Sequence, residues 1–388
     1  MSYYRWYNDF GQARKNERGV YDVKSACVVF GKIADTWKGV PSIVNEFAVG
    51  GYEMEEISIL TDVDRSKLQE ILRGWREVYE TIVFLVSKIG LLNAQQDITN
   101  CFSDYVCQAS FQGVGVFSSG QKNVILLAFD EDCTGRRYAV EVCLPYLYAK
   151  NGARLDKTVI RAMGANETLV TQLLAQAQMR SGGKMKISRT RNFGEDVITI
   201  GYNDATPKML IDDVNRVFAE GLGESIYALE DISLEEQLIR LLKLRGKKIS
   251  VAESFTGGGI AKRLVSVSGA SEVYFEGLNT YHEDSKIKRL GVAPYTLKTM
   301  GAVSDQTAYE MANGLLHTGD CDFAIATTGL AGPKSDKTLL PVGLCYIAVG
   351  SKERVFVYRY KFDGNREEIT ETAIRYALFL AYKHLKDV

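Results

Sequence analysis

Residues 247–267 read KKISVAESFTGGGIAKRLVSV. A short apolar strand pattern, ISVA, runs into Ser254, Phe255, Thr256 and three glycines, and only then does a helical pattern begin. Strand, glycine-rich turn and helix in that order are the repeating unit of an open α/β sheet. Three glycines in a row are costly in backbone entropy and give nothing to a core. The turn leaves several N–H groups unpaired at the helix start, where the helix dipole favours an anion, so a phosphate or a developing oxyanion would fit there. The plainer reading is that Ser254 or Thr256 is an N-cap and the glycines a tight turn.

Working outward, the segment opens with SLEEQLIRLLKLRG, in which Ser233 and Glu236 form a capping box and Gly246 ends the helix. After the turn come strand EVYFEGLNTY, helix SDQTAYEMANGLL, strand DFAIATTG, loop LAGPKSDKTLL, strands PVGLCYIAVG and RVFVYRYKF, and a closing helix from Glu367. A tight turn at Gly350 joins the last two strands, so the sheet is mixed. Upstream lies a small α+β grammar: strand KTVIRAMG, helix ETLVTQLLAQAQ, a strand pair, helix PKMLIDDVNRVFAEG and strand SIYALE. KH modules share that order, but their G-x-x-G loop lies between helices, whereas MRSGGK lies between a helix and a strand. The first part alternates strands SACVVFG, EISILTD and VFLVS with helices, the grammar of a parallel, doubly wound sheet. It closes with NVILLAF and RYAVEVCLPYLYAK read as strands, the DEDCTGRR stretch around Gly135 being a hairpin turn. The expected fold class is α/β in three domains: residues 1–153, doubly wound; 154–231, small α+β; 232–388, α/β with a mixed sheet.

Composition narrows the function. The 388 residues exceed one ordinary core. With 47 basic and 48 acidic residues, a net charge of -1 supplies no field for nucleic acid or an anionic membrane, and neither is expected as a partner. The seven cysteines are odd in number and mostly set singly in apolar runs, which points to a reducing cytoplasm. No pair has C-x-x-C spacing and only three histidines are present, so no metal site built on Cys and His is expected. No apolar run approaches the ~18 residues of a membrane span.

Three places can carry chemistry. Ser254 is the first. In TYHEDSKIKRLG, Tyr281 and Lys286 follow the next strand at its C-terminal end, the edge where such sheets place ligands. A serine needs a base, and a lysine in a dry site can serve as one. Tyr281 could relay a proton. A solvated helix lysine and a packed strand tyrosine are the plainer readings. Finally, TTGLAGP sets Thr327, Thr328, Gly329, Ala331 and Gly332 in a second small-residue loop at the same edge, or in a structural turn that ends at Pro333.

AESFTGG, YHEDSK, GAVS at 301–304, TGLAGP, PVG at 341–343 and the F-x-G-N-R of Phe362 to Arg366 follow in order. They resemble the CinA C-terminal domain, whose pattern is A-E-S-C-T-G-G, Y-S-N-E-A-K, G-A-V-S, T-G-I-A-G-P, P-V-G and G-D-R. The resemblance implies hydrolysis of the carboxamide of nicotinamide mononucleotide to nicotinate mononucleotide and ammonia. It implies Ser254 as nucleophile, Lys286 as base and Tyr281 as assisting hydroxyl. Thr256, Gly257, Gly258, Thr328, Gly329 and Arg366 would contact substrate, with no metal and no cofactor. It also implies a homodimer whose partner molecule is a pyridine nucleotide. Phe255 stands where the family has Cys, His282 and Glu283 where it has Ser-Asn, Asn365 where it has Asp, and Leu340 where it has Lys. Full-length relatives begin with a molybdopterin-binding-like domain resembling an ADP-ribose pyrophosphatase. Of its G-G-L-G-P-T-x-D-D-x-T motif only Gly90, Leu91, Asp97 and Thr99 remain, with Gln96 in place of one acid, so loss of pyrophosphatase activity is expected. A catalytically silent nucleotide-binding or interaction protein is the alternative.

Overall fold

Strands apolar at every position bury both faces, and the first such run, Ser25–Phe30, sets the pattern of the N-terminal sheet. The computed structural model describes residues 23–387, apart from 32, 61–64, 88–89, 112, 130–133, 152–154 and 334–338. The polar first 22 residues, Cys133 and the middle of the LAGPKSDKTLL loop thus lie outside the described residues. Contacts divide the chain into two compact units. One comprises residues 1–158, 174–188 and 199–216, the other 159–173, 189–198 and 217–388, so the segment expected as a middle domain is shared between them.

The first unit holds β1 (Ser25–Phe30), α1 (Ile33–Val49), β2 (Met54–Leu60), α2 (Arg65–Val78), β3 (Thr81–Ser87), α3 (Leu91–Cys101), β4 (Val106–Phe111), β5 (Val114–Ser119) and β6 (Lys122–Phe129). The sheet order is β2-β1-β3-β6-β5-β4, parallel from β2 to β6 and antiparallel through β5 and β4. Alternation is strict. Cys27, Val29, Val83 and Leu85 pack on one side with Ile43 and Phe47 of α1, while Ala26, Val28, Ile82 and Phe84 pack on the other with Leu68 and Leu72 of α2. Covering both faces is what the doubly wound reading required.

The expected closing strand RYAVEVCLPYLYAK is instead helical: α4 (Thr134–Tyr138), a π turn over Ala139–Cys143, and α5 (Leu144–Asn151). The alternation of Tyr138, Val140, Val142 and Leu144 suggested a strand. Burial instead takes Tyr138, Ala139, Cys143, Leu144 and Leu147 and leaves Val140 exposed, steps of three to five residues that put one helical face on the sheet.

Next come β7 (Leu155–Met163), α6 (Glu167–Ser181), β8 (Lys186–Asn192), β9 (Glu195–Asn203), α7 (Lys208–Leu222) and β10 (Ile226–Ala228), as the sequence suggested. Their strands form a sheet of order β10-β7-β9-β8.

The C-terminal part contains α8 (Leu234–Arg245), β11 (Ile249–Glu253), α9 (Gly259–Val265), β12 (Tyr274–Asn279), α10 (Glu283–Leu290), α11 (Pro294–Thr299), α12 (Asp305–Thr318), β13 (Phe323–Gly329), β14 (Leu344–Ser351), β15 (Val355–Lys361) and α13 (Arg366–Asp387). Ser233 caps α8 by accepting from the Glu236 amide at 3.2 Å, and Gly246 closes it in the left-handed conformation. The strand order is β12-β11-β13-β14-β15, with β12, β11 and β13 parallel and the last two strands antiparallel. Ile249, Val251, Ile325 and Ile347 face α8, α9 and α13, whereas Ala252, Ala324, Ala326 and Ala348 face α12. From β11 the chain first steps to β12 on one side and then to β13 on the other. The strand order therefore reverses at β11, and ligands of open α/β sheets bind beyond the C-terminal ends of strands at such a point.

Candidate active site

Ser254 is the residue immediately after β11. Its amide donates to Thr327 O at 3.1 Å, which extends the pairing with β13 by one step, while Thr280 N donates to Glu253 O at 2.8 Å on the other side. The turn then closes through Gly257 N to Ser254 O at 3.1 Å and Gly259 N to Thr256 O at 3.0 Å. The three glycines answer two different demands. Gly257 and Gly258 have φ of 62° and 94°, a conformation that L side chains rarely adopt. Gly259 lies under α13, where a Cβ would come within 2.3 Å of Ile374 Cδ1.

The helix entrance does not hold an open anion site. Glu253, 1% exposed, accepts from Gly258 N and Ile260 N at 3.1 Å each through Oε2 and from Ala261 N at 2.9 Å through Oε1. The expectation of a free anion hole at the start of α9 is therefore corrected: the chain's own carboxylate fills it, because a negative group at a helix N-terminus satisfies orphan amides and the dipole together. The sequence reading passed over Glu253. An acid directly before a glycine turn that opens a helix was the available signal.

Lys286, on α10, is 1% exposed, and its Nζ lies 3.0 Å from Ser254 Oγ, 2.7 Å from Thr280 O and 3.3 Å from Tyr281 O. Burial pulls its pKa down to about 8, against a smaller opposite effect of Glu283. The three partners match the three N–H bonds of an ammonium. When one proton leaves, the two carbonyls can only accept and so retain the two remaining N–H bonds. The lone pair then faces the one partner that can donate, the Ser254 hydroxyl. Two backbone carbonyls thus orient the base, as a carboxylate orients histidine in a Ser-His-Asp triad.

The other expected residues lie around this pair in varied roles. Thr256 Oγ1 is 2.7 Å from Thr327 Oγ1, both side chains buried. Thr328 donates to Ala302 O at 2.6 Å, which ties the strand end to the G-A-V-S segment. Gly329 ends β13 opposite Cys345 of β14. Tyr281 gives its carbonyl to Lys286, but its side chain is 64% exposed and its hydroxyl accepts from Arg366 Nη2 at 3.4 Å. Arg366 also donates to Gly332 O at 2.7 Å. The phenol therefore stands with Arg366 rather than in the bonds of the Ser254–Lys286 pair.

Three of the five departures from the family pattern fall on caps and core, while Glu283 and Leu340 fall on neither. His282 is the N-cap of α10, its Nδ1 accepting from Asp284 N at 3.2 Å. Asn365 Oδ1 accepts from Glu367 N at 2.9 Å and Glu368 N at 3.1 Å, capping α13 as an aspartate would. Phe255 is buried with Ala331, Cys345, Ile369 and Ala373. Glu283 is exposed.

Among the described residues, no group of three or more His, Cys, Asp or Glu side chains could hold a metal ion, and no helix is long and apolar enough to cross a membrane.

Comparison with known proteins agrees with the motif order. Residues 231–385 match the family model of the CinA C-terminal domain. A putative competence-damage inducible protein of Caldicellulosiruptor saccharolyticus is 35% identical over 240 residues, 61% of this chain and 58% of that protein. Another from Alkaliphilus metalliredigens is 37% identical over 188 residues, 48% of this chain and 46% of that protein. The aligned region thus spans about half the length of these curated relatives. Among solved structures, the competence/damage inducible protein CihA of Agrobacterium tumefaciens is 39% identical, covering 38% of this chain and 94% of that one, with a TM-score of 0.36. The ordered motifs, the family model and the curated relatives converge on one conclusion: residues 231–385 form a CinA C-terminal domain.

Proposed function

We propose that the chain is an amidohydrolase that converts nicotinamide mononucleotide to nicotinate mononucleotide and ammonia. The observation that carries this reading is the buried contact of 3.0 Å between Lys286 Nζ and Ser254 Oγ. The neutral amine takes the hydroxyl proton as Ser254 Oγ attacks the carboxamide carbon. The tetrahedral intermediate collapses when the Lys286 ammonium returns that proton to the amide nitrogen, which leaves as ammonia. A nicotinoyl ester on Ser254 remains. Lys286, neutral again, takes a proton from water as the water attacks the ester, then gives it to Ser254 Oγ as the acid departs. General base catalysis of this kind contributes about 10²- to 10⁴-fold. The amides of Gly258, Ile260 and Ala261 have no part in holding the oxyanion, since Glu253 occupies them.

In the first unit, the surviving acid of the pyrophosphatase-like motif is engaged. Arg65 Nε lies 3.1 Å from both oxygens of Asp97, and Gln69 Nε2 lies 3.1 Å from one of them. Gln96 is exposed. These contacts support the reading that the first segment, residues 1–153, is a scaffold without pyrophosphatase activity; the division into a small domain over 154–231 and a hydrolase domain over 232–388 is proposed from the sequence alone.

The test is ammonia release from nicotinamide mononucleotide by the purified chain, with Ser254→Ala as control. Release that disappears in the variant supports the reading. Absence of release from the parent, or equal release from both, refutes it.

A further inference from the structure

Glu253 belongs to two elements at once. Its main chain lies in the sheet, in register with Asn279 of β12 and Thr327 of β13. Its side chain reaches past the turn to the amides of Gly258, Ile260 and Ala261. One residue therefore ties the end of β11 to the start of α9, and the segment closed by that tie carries Ser254. Within the loop, Gly257 and Gly258 hold left-handed conformations, and the chain is free of side-chain packing at both, since a Cβ on either would meet nothing within 4 Å. The strand side of the turn is held by Phe255 in the core and by the Thr256–Thr327 contact, so the stretch left to be fixed is the glycine side that enters α9. The carboxylate supplies three bonds where an ordinary N-cap supplies one.

We propose that Glu253 is the positioning residue of the nucleophile. By bonding the amides of Gly258, Ile260 and Ala261 it holds the turn so that Ser254 Oγ faces Lys286, and it closes the start of α9 to the substrate's phosphate. The proposal rests on the amidohydrolase reading for its kinetic test, but its structural half stands apart from it. A displacement of about 1 Å at a reacting atom costs on the order of 10²-fold in rate. Loss of the clamp is therefore expected to act chiefly on kcat, with any change in KM confined to what Thr256, Gly257 and Gly258 contribute to binding.

The experiment uses the full chain with Glu253→Gln and Glu253→Ala. Ammonia release is followed with and without sodium formate, and amide hydrogen exchange is followed over residues 254–261. The glutamine variant, in which one acceptor becomes a donor facing amides, is expected to lose roughly 10²-fold in kcat with KM within about threefold. The alanine variant is expected to lose more and to recover at least about tenfold, saturably, as formate takes the place of the missing carboxylate, with the parent unaffected. Exchange over 254–261 is expected to speed up in both variants. A kcat within about threefold of the parent in both variants overturns the proposal. So does a folded alanine variant whose lost activity formate does not restore. Should the alanine variant not fold, the kcat of the glutamine variant decides. Should the parent release no ammonia, the amidohydrolase reading fails by itself, and exchange decides: unchanged protection over 254–261 overturns the clamp.

Discussion

The base assigned to Lys286 has a measurable pH signature. A lysine at its ordinary pKa of 10.5 is neutral in about one molecule in three thousand at pH 7, whereas at about 8 it is neutral in about one in eleven. Burial is thus worth about 300-fold in available base at neutral pH. The expected profile of kcat/KM, which reports the free enzyme, rises about tenfold per pH unit below about 7, bends near 8 and levels off above about 9. From pH 6 to pH 9 the gain is about 90-fold. The same shift sets a stability slope. The folded pKa lies below the unfolded one, so between them the unfolded chain binds more protons and stability rises with pH. At pH 7 the buried ammonium costs about 3 kcal/mol, of which about 1.3 kcal/mol is recovered by pH 9. Lys286→Met should lose about 10²- to 10⁴-fold in activity and also lose that slope in thermal denaturation measured across the same range. A flat rate profile from pH 6 to about 9.5, or an ascending limb retained in Lys286→Met, would refute the assignment.

Two further outcomes follow from packing and charge. Phe255→Ala removes a side chain that is 6% exposed among Ala331, Cys345, Ile369 and Ala373, and should cost about 3–5 kcal/mol in urea denaturation, a loss under ~1 kcal/mol contradicting its place in the core. With Asp97 held by Arg65 and Gln69, ADP-ribose incubated with divalent metal should yield no AMP, and metal-dependent AMP release would show that the first unit keeps its chemistry.

The site was legible to the extent that its residues are marked by type and place. Ser254 and Lys286 each follow a strand at the same sheet edge, and neighbouring parallel strands deliver their C-terminal ends together. What composition could not show is where each hydroxyl points. Tyr281 shares a segment with Lys286, yet the helical start at Glu283 turns the lysine inward and leaves the phenol with Arg366. Glu253 was hidden by its neighbours, since a carboxylate beside a proposed anion site reads as a repulsive bystander until it is seen to be the anion. Fold reading failed at residues 138–147 for a related reason. Val140 and Val142 alternate like strand residues, but Tyr138, Ala139, Cys143, Leu144 and Leu147 bury a helical face, so tertiary packing overrode local preference.

The most direct test of the account is to catch the covalent intermediate. The chain is mixed with nicotinamide mononucleotide, quenched in acid within the first turnovers and digested, and the peptide carrying Ser254 is weighed. The account expects a fraction of that peptide heavier by the substrate less ammonia, and none in Ser254→Ala. Steady ammonia release with no such adduct, continuing in Ser254→Ala, would contradict it.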